Sequence, residues 1–192
     1  MSLKELTKEN HTNAERQQFV KVMFSGKIDP EFYALYLWNQ FPAYELLEIM
    51  AQQHGLLDDV PELLRSKKIM SDFLELWKRE DRPPTLRTTH KYVMYLKDIM
   101  DDPNRLMAHV YVRHMGDLSG GQMIMKRTPG PNRYYKFKHK EVGDYKRIVK
   151  ETINTYLNVY EHSVLPEATY CFESATKLFK EMKELHDLGK TD

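Results

Sequence analysis

The sequence GDLSGGQ at residues 116–122 decides the fold of this chain. It lies in a run, residues 106–124, whose apolar side chains recur at helical spacing. A glycine inside a helix costs about 1 kcal/mol relative to alanine, and a helix accepts that loss where another group must approach its backbone closely. At about 100° per residue, one helix face carries Arg113, Gly116, Asp117, Gly120 and Ile124. We therefore expect a strip of bare backbone, framed by a carboxylate and a guanidinium, that accepts something flat.

A second interpretation of the same stretch is a glycine-rich turn between two short helices, in which Asp117 or Ser119 caps the second helix. The local pattern does not separate these two interpretations. A phosphate-binding loop is disfavoured, because the glycines do not follow GxGxxG, no lysine follows them in GK[ST] form and no strand precedes them.

The composition predicts one globular domain that spans residues 1–192. Lysine and arginine (29) nearly balance aspartate and glutamate (28), and the net charge of +1 argues against a nucleic-acid partner. The single cysteine, Cys171, cannot form an internal disulfide, and the first residues are charged rather than apolar. No window approaches the roughly 20 apolar residues that a membrane helix needs. We expect a soluble, cytoplasmic or otherwise intracellular protein without a membrane anchor.

Helical periodicity recurs along the chain, and no stretch alternates as a strand does. Asp29 and Pro30 form a typical helix start, and Pro42 is expected to kink the helix that follows. Residues 128–144 are expected to be mainly loop. The pattern predicts helices over residues 3–24, 31–53, 61–70, 88–100, 106–124, 145–160 and 165–185. The predicted fold class is therefore all-α.

The first predicted helix carries an ordered polar stripe about 60° wide. Its members are Lys4, Lys8, His11 and Glu15. Cations at a helix start oppose the helix dipole, so the two lysines need another explanation. Glu15 lies one turn after His11 and could accept its Nδ1 proton, which would leave Nε2 free to bind a metal. The alternative is an ordinary solvated polar face, and both interpretations stay open at this point.

No other pattern indicates a metal site that the chain builds alone. The eight histidines are scattered, HExxH is absent, and one cysteine cannot form a CxxC pair. The paired ExxH pattern of di-iron bundles is also missing. A metal bound at His11 would have to bring most of its own coordination, as haem does when it needs a single axial histidine.

Two segments together resemble the haem oxygenase family. LKELTKENHTNAE at residues 3–15 is similar to the family's proximal helix, and AHVYVRHMGDLSGGQ at residues 108–122 is similar to its distal helix. The likeness extends over nearly the whole chain. It implies an all-α, single-domain, multi-helical bundle in which haem b is sandwiched between the proximal and the distal helix.

The resemblance also implies roles for individual residues. His11 would be the iron ligand and Glu15 its partner. Gly116 and Gly120 would lie against the distal face of the haem. Asp117 would order the water that protonates bound dioxygen, supported by Arg113 and Tyr44. The remaining positions implied to bind the cofactor, most of them at the propionates, are Lys4, Lys8, Tyr111, Ser119, Lys146 and Lys150.

The reaction implied by the resemblance is cleavage of haem at the α-meso carbon with O2 and electrons, giving biliverdin IXα, CO and Fe2+. A soluble donor such as ferredoxin is expected, and a bilin reductase could act downstream. Val112 and Ala175 depart from the family pattern, because a threonine and an asparagine often stand there. Both departures remove a polar partner from the distal side, and we expect activity to survive with a differently ordered water chain.

Two other functions remain as hypotheses. A helical haem carrier or sensor would keep the pocket without turnover, although it would not need Asp117. A helical enzyme with a small organic cofactor, such as a thiamine fragment, would leave His11 without a purpose. A basic stretch could meet an acidic electron donor or could be a solvated loop. Its members are Arg127, Arg133, Lys136, Lys138 and Lys140.

Overall fold

Helices and their connections make up the part of the chain that the computed structural model describes, residues 1–138 and 141–189. Within these ranges there is no strand, which confirms the all-α prediction. Short 3-10 turns lie at Pro61–Leu63 and Arg133–Tyr135. The α-helices are α1 (Leu3–Leu6), α2 (Lys8–Glu15), α3 (Gln18–Phe24), α4 (Pro30–Gln53), α5 (Ser66–Leu76), α6 (Arg87–Asp98), α7 (Pro103–Leu118), α8 (Gly121–Ile124) and α9 (Val142–Leu188).

Two of the longer helices begin as the sequence rules predict. The Asp29 side chain accepts the backbone N–H of Phe32 at 2.9 Å at the start of α4, and Pro30 follows it. The Asp102 side chain accepts the N–H of Asn104 at 3.0 Å at the start of α7, again before a proline. Each carboxylate satisfies a helix N–H that has no partner within the helix.

Two other helices are capped from a distance. Residues next to α5 and α6 supply no capping side chain. Instead Glu48 of α4 accepts the N–H of Ser66 at 3.0 Å, and Glu181 of α9 accepts the N–H of Thr88 at 3.0 Å. Each glutamate accepts a hydrogen bond from an N–H group that has no partner within its own helix. The two glutamates therefore also fix how α5 and α6 dock on the longer helices.

The predicted helix over residues 3–24 is wrong as a single element, because the chain forms three short helices there. The backbone departs from helical geometry at Thr7, with φ −103° and ψ 13°. The bonds from Thr7 N to Leu3 O (2.9 Å) and from His11 N to Thr7 O (3.0 Å) still cross that point. The helical register therefore continues from α1 into α2, whereas extended backbone at Gln17 (φ −61°, ψ 142°) separates α2 from α3.

Two other regions, residues 106–124 and α9, also allow the predicted helix boundaries to be compared with the structure. The run over residues 106–124 divides at Ser119, whose φ of −116° and ψ of −86° end α7, so the interpretation with two helices is the nearer one. Neither Asp117 nor Ser119 caps α8. The backbone at Tyr160 is not helical (φ −128°, ψ 36°), so α9 consists of two helical halves that meet there, which agrees with the two final helices predicted over residues 145–160 and 165–185. Pro166 lies inside α9 and does not start it.

The centre of the bundle is α7, which packs against α9 and α4. One apolar cluster joins α7 to α9 and includes Leu106, Val110 and Ala168, all completely buried. A second cluster joins α3, α4 and α5 and includes Phe19 and Leu37. Burying side chains of this size contributes about 1.5–3 kcal/mol each, so these clusters hold the central helices firmly. Among the described residues, none of the helices has an apolar stretch that could cross a lipid bilayer.

Candidate functional site

A line of three buried oxygen groups lies at the C-terminal end of α7. Asp117 is 4% exposed, and its Oδ2 accepts a hydrogen bond of 2.8 Å from the hydroxyl of Tyr44. That hydroxyl in turn accepts a hydrogen bond of 2.8 Å from the hydroxyl of Tyr134. α4, α7 and the turn at Arg133–Tyr135 therefore meet at a single carboxylate.

The connection after α8 places Tyr134 through a braced turn. Asn132 adopts a left-handed conformation, with φ 53°. Its side-chain amide donates to the carbonyl oxygens of Thr128 (3.0 Å) and Gly130 (3.2 Å). The backbone N–H of Tyr134 then donates to Oδ2 of Asp72 at 2.8 Å. The sequence predicts mainly loop here and does not single out Tyr134, although the Asn–Arg–Tyr–Tyr stretch is an aromatic signal inside a polar connection.

Burial sets the acidity of this carboxyl. Desolvation raises the pKa of Asp117 from its ordinary 3.8 to about 6, against the lowering effects of His114, of the Tyr44 and Tyr134 hydroxyls and of Arg65. A carboxyl with a pKa of about 6 can both hold and release a proton near neutral pH. Groups of this kind are typical of functional sites, where burial is arranged to shift acidity.

The glycines beside Asp117 differ in what surrounds them. A Cβ added at Gly116 would meet no atom within 4 Å, and one added at Gly120 would meet only the carbonyl oxygen of Gly116 at 3.7 Å. Both positions face open space. A Cβ at Gly121 would overlap the ring of Tyr135, so this third glycine is required by packing. The open strip predicted from the motif therefore consists of Gly116 and Gly120.

Arg113 lies on α7 beside the ring of Tyr44. Its Nη1 donates to Oε1 of Gln40 at 2.9 Å, and its Nε donates to the hydroxyl of Tyr92 at 3.2 Å. Its guanidinium lies over the ring of Tyr44, 5.0 Å from the centroid. In the described residues it forms no hydrogen bond with Asp117. It is connected to Asp117 through Tyr44, whose ring it covers and whose hydroxyl donates to that carboxylate.

A second buried polar network extends from Tyr92 towards the surface, and sequence analysis missed it. The hydroxyl of Tyr92 lies 2.7 Å from Nδ1 of His109, and Nε2 of His109 lies 2.9 Å from Glu167. Arg105 donates to the same carboxylate at 2.6 Å. Burial lowers the pKa of His109, but its bonds to Cys171 and Glu167 outweigh that effect and raise it overall. Because these partners come from three helices, no local pattern reveals them.

The proximal segment is more open. The His11 side chain is 51% exposed, and its Nδ1 lies 3.4 Å from Oε2 of Glu15. Its ring meets that of Phe172 on α9 edge-on, with 5.7 Å between centroids. This arrangement directs Nδ1 to the carboxylate and leaves Nε2 without a hydrogen bond in the described residues. The imidazole is therefore available as a ligand.

The predicted propionate-binding residues are spread over four helices. Lys4 and Lys8 are exposed on α1 and α2, and Lys150 is exposed one turn after the partly exposed Lys146 on α9. None of these four lysines forms an ion pair within residues 1–138 and 141–189. Tyr111 is 6% exposed on α7, and burial raises its pKa. Ser119 is exposed where α7 ends. The lysines can therefore bind anions.

A separate cavity of about 470 Å³ lies between α6 and the second half of α9. Its walls include Tyr92, Tyr170 and Ser174. Tyr170 and Ser174 are each two positions from Phe172, so they face the opposite side of α9 from the ring that meets His11. This cavity is therefore distinct from the surface that carries His11.

In the described part of the chain, no three His, Cys, Asp or Glu side chains are arranged to hold a metal ion. One accessible imidazole and an open glycine strip fit instead a flat group that carries its own metal coordination. The residues present therefore fit a haem.

Comparison with known proteins agrees with this geometry. The family model described as "Heme oxygenase" matches residues 1–181. Heme oxygenase 2 of Macaca fascicularis is 30% identical over 95% of this chain, which spans 64% of that relative's length. The structure of heme oxygenase from Leptospira interrogans superposes with a TM-score of 0.82 at 26% identity, covering 94% of this chain and all of that one (100%). Heme oxygenase-2 from Synechocystis sp. PCC 6803, in complex with heme and NO, gives a TM-score of 0.80 at 25% identity, covering 95% of this chain and 84% of that one. The chain belongs to the haem oxygenase family.

Proposed function

We propose that residues 1–192 act as one domain that cleaves haem b at its α-meso carbon, using O2 and electrons and giving biliverdin IXα, CO and Fe2+. The observation that carries the proposal is the buried Asp117, held by Tyr44 beside the open backbone of Gly116 and Gly120. A haem carrier needs the open backbone but not a carboxyl whose pKa lies at about 6. The pairing of the two features favours catalysis over storage.

Haem would lie between α2 and α7. His11 would bind its iron through Nε2, because Glu15 lies beside Nδ1 and fixes the tautomer. Gly116 and Gly120 would meet the opposite face. A bound haem would supply the iron that reduces dioxygen and the ring that is oxidised. The protein would supply orientation, exclusion of bulk water and a proton donor.

The site residues would divide these tasks. Lys4, Lys8, Lys146 and Lys150, with Tyr111, would hold the propionates and so determine which meso edge faces the distal side. Ser119 would also contact the cofactor. Asp117 would hold or release a proton through ordered water at a pH near its pKa of about 6. Tyr44 orients that carboxylate, and Arg113 packs on the Tyr44 ring. The α-meso selectivity would follow from these anchors.

The first test is a haem titration followed by turnover on the wild type, on His11→Ala and on Asp117→Asn. We expect a histidine-ligated Soret band that converts to a biliverdin spectrum when electrons are supplied. His11→Ala should lose both. Asp117→Asn should bind haem and turn over at least 100-fold more slowly, within the range for loss of a general acid. A wild type that binds haem and only holds oxygen would make the chain a carrier or sensor.

A soluble ferredoxin is the proposed electron donor, in the cytoplasm, with a bilin reductase as a downstream partner. Its docking surface would include Lys136 and Lys138, at the end of the braced turn. Arg133 contributes less free charge, because it pairs with Asp72 (3.2 Å) and Glu75 (2.7 Å). Lys138 is partly neutralised by Glu141, which lies 3.8 Å from its Nζ. Lys140, the last member of the predicted basic stretch, lies outside the described residues.

Charge reversal tests this surface. Lys136→Glu with Lys138→Glu should slow turnover driven by ferredoxin and leave haem affinity unchanged, since steering by complementary charge acts on association. Lys91→Glu, on exposed α6, is the matched control. An equal rate in the double variant and the control would exclude this docking surface without affecting the proposed reaction.

A further inference from the structure

His114 is a completely buried side chain of α7, at 0% exposure, and its two ring nitrogens have different surroundings. Nδ1 lies 2.9 Å from the carbonyl oxygen of Val110. Because a carbonyl oxygen can only accept, Nδ1 carries a proton. Nε2 is buried, has no hydrogen-bond partner among the described residues and lies 3.5 Å from Oε1 of Glu48.

The backbone favours the ionised form of the Glu48 carboxyl that faces Nε2. It accepts backbone N–H groups from Arg65 and from Ser66 at the start of α5. Burial raises the pKa of Glu48, but the interactions with His114, Ser66 and Arg65 outweigh it and lower the pKa overall. A neutral His114 would direct an unpaired nitrogen lone pair at this carboxylate inside the core, which is unfavourable. A proton on Nε2 changes that repulsion into a buried ion pair.

His114 also adjoins the hydrogen bonds of Asp117. The two residues are three apart on α7, which is a spacing of neighbouring side chains. The ring of His114 meets the ring of Tyr44 edge-on, with 5.8 Å between centroids, and the hydroxyl of Tyr44 donates to Asp117. From the other packed elements, Arg65 and the hydroxyl of Tyr134 also favour the ionised form of Asp117.

We propose that His114 is an imidazolium and acts as a positioning residue, which keeps Asp117 ionised as the acceptor of the Tyr44 hydrogen bond. In the structure Tyr134 donates to Tyr44 and Tyr44 donates to the carboxylate. Only an ionised carboxylate is confined to accepting, so the positive charge on His114 fixes this direction. The consequence for turnover rests on the function proposed above, whereas the charges belong to the haem-free protein.

The first test uses the haem-free wild type. With nitrogen-15-labelled histidine, and with His114 assigned through its backbone amide, both ring nitrogens should give signals of the N–H type at pH 7.5. A signal from Nε2 typical of an unprotonated ring nitrogen would overturn the proposal. Because this measurement needs no substitution, it decides the charge of His114 even if variants fold poorly.

The second test follows the carboxyl carbon of Asp117 by NMR during a pH titration of haem-free wild type, His114→Gln and the control His90→Gln, which changes an exposed residue of α6. His114→Gln should raise the pKa of Asp117 by about one unit, within the range for loss of a nearby charge. At pH 6.5 the ionised fraction would then fall about threefold. An unchanged pKa would overturn the positioning role. Absence of turnover in the wild type would contradict the proposed function and leave this result intact.

Discussion

Asp117→Asn should remove a pH-dependent loss of stability from the haem-free protein. Burial raises the pKa of this carboxyl from its ordinary 3.8 to about 6. Between about pH 4 and pH 6, the folded protein therefore binds a proton that the unfolded chain has released. The free energy of unfolding falls as the pH rises through that window, because the folded state binds more protons there.

The size of the effect follows from the pKa change. A difference of roughly two units corresponds to about 3 kcal/mol, at about 1.4 kcal/mol per unit. Above about pH 6 the free energy of unfolding is lower by this whole amount, and below about pH 4 the effect is absent. A domain of ordinary stability unfolds at about 5–15 kcal/mol, so the effect is large enough to measure.

Urea unfolding at several pH values between 4 and 7.5 tests this prediction. The quantity to compare is the change in free energy of unfolding across the pH range, in the wild type and in Asp117→Asn. Effects of the substitution that do not depend on pH, such as an altered bond to Tyr44, cancel in that comparison. The wild type should lose about 3 kcal/mol more than the variant as the pH rises. Asp98→Asn, an exposed change on α6, should behave as the wild type. Equal pH dependence in wild type and Asp117→Asn would refute burial as the cause.

Three further substitutions test the distal site. Tyr44→Phe removes the donor to Asp117, and since a bond to a charged group is worth about 1.5–3 kcal/mol, the pKa of Asp117 should rise by at least one unit in a carbon-13 titration. Gly121→Ala should lower the free energy of unfolding by about 1–3 kcal/mol, because the added methyl overlaps the ring of Tyr135. Gly116→Ala should leave unfolding unchanged or raise its free energy by up to about 1 kcal/mol, yet weaken haem binding in a Soret titration.

For each of these substitutions, one result would contradict the prediction. An unmoved Asp117 pKa in Tyr44→Phe would mean that the hydroxyl does not stabilise the carboxylate. Gly116→Ala and Gly121→Ala serve as controls for one another, because both add one methyl to the same motif. If both lowered stability alike, the open strip at Gly116 would be wrong. Unchanged haem affinity in Gly116→Ala would mean that the ligand does not approach this backbone.

Periodicity predicted the helices well and their interruptions poorly. The apolar spacing of α4 and α7 reflects burial against neighbours, and burial is the property that periodicity measures. The departure at Thr7 lies where the short helices α1 and α2 pack on α9, and that packing has no local signature. The break at Ser119 does have one, because the glycines around it also allow a turn between two helices. The break between the last two predicted helices is an exception, because non-helical backbone at Tyr160 lies where the sequence places it, and only the exact start at Pro166 differs.

The same distinction between local patterns and contacts of distant elements applies to the individual residues of the site. Asp117 and His11 can be proposed as site residues from the sequence, because each lies in a motif with a spacing of its own. Tyr134 cannot, since its hydroxyl bonds to a residue 90 positions earlier in the chain. The glutamates at 48 and 181 cap helices to which they do not belong, so a search for local caps finds nothing at α5 and α6. Contacts between elements decide these roles.

The two halves of the proposed pocket are stabilised in different ways. The distal half is built into the core, where Asp117, Tyr44 and Tyr134 are all at most 4% exposed. The proximal half depends on short helices, and the side chain of His11 is 51% exposed. A change at the distal carboxyl therefore alters both folding and chemistry, because the same burial that raises its pKa also destabilises the folded protein. A change at His11 removes few buried contacts, so it acts mainly on ligand binding. A carboxyl that destabilises its own fold by about 3 kcal/mol is expected to persist only where its proton is used.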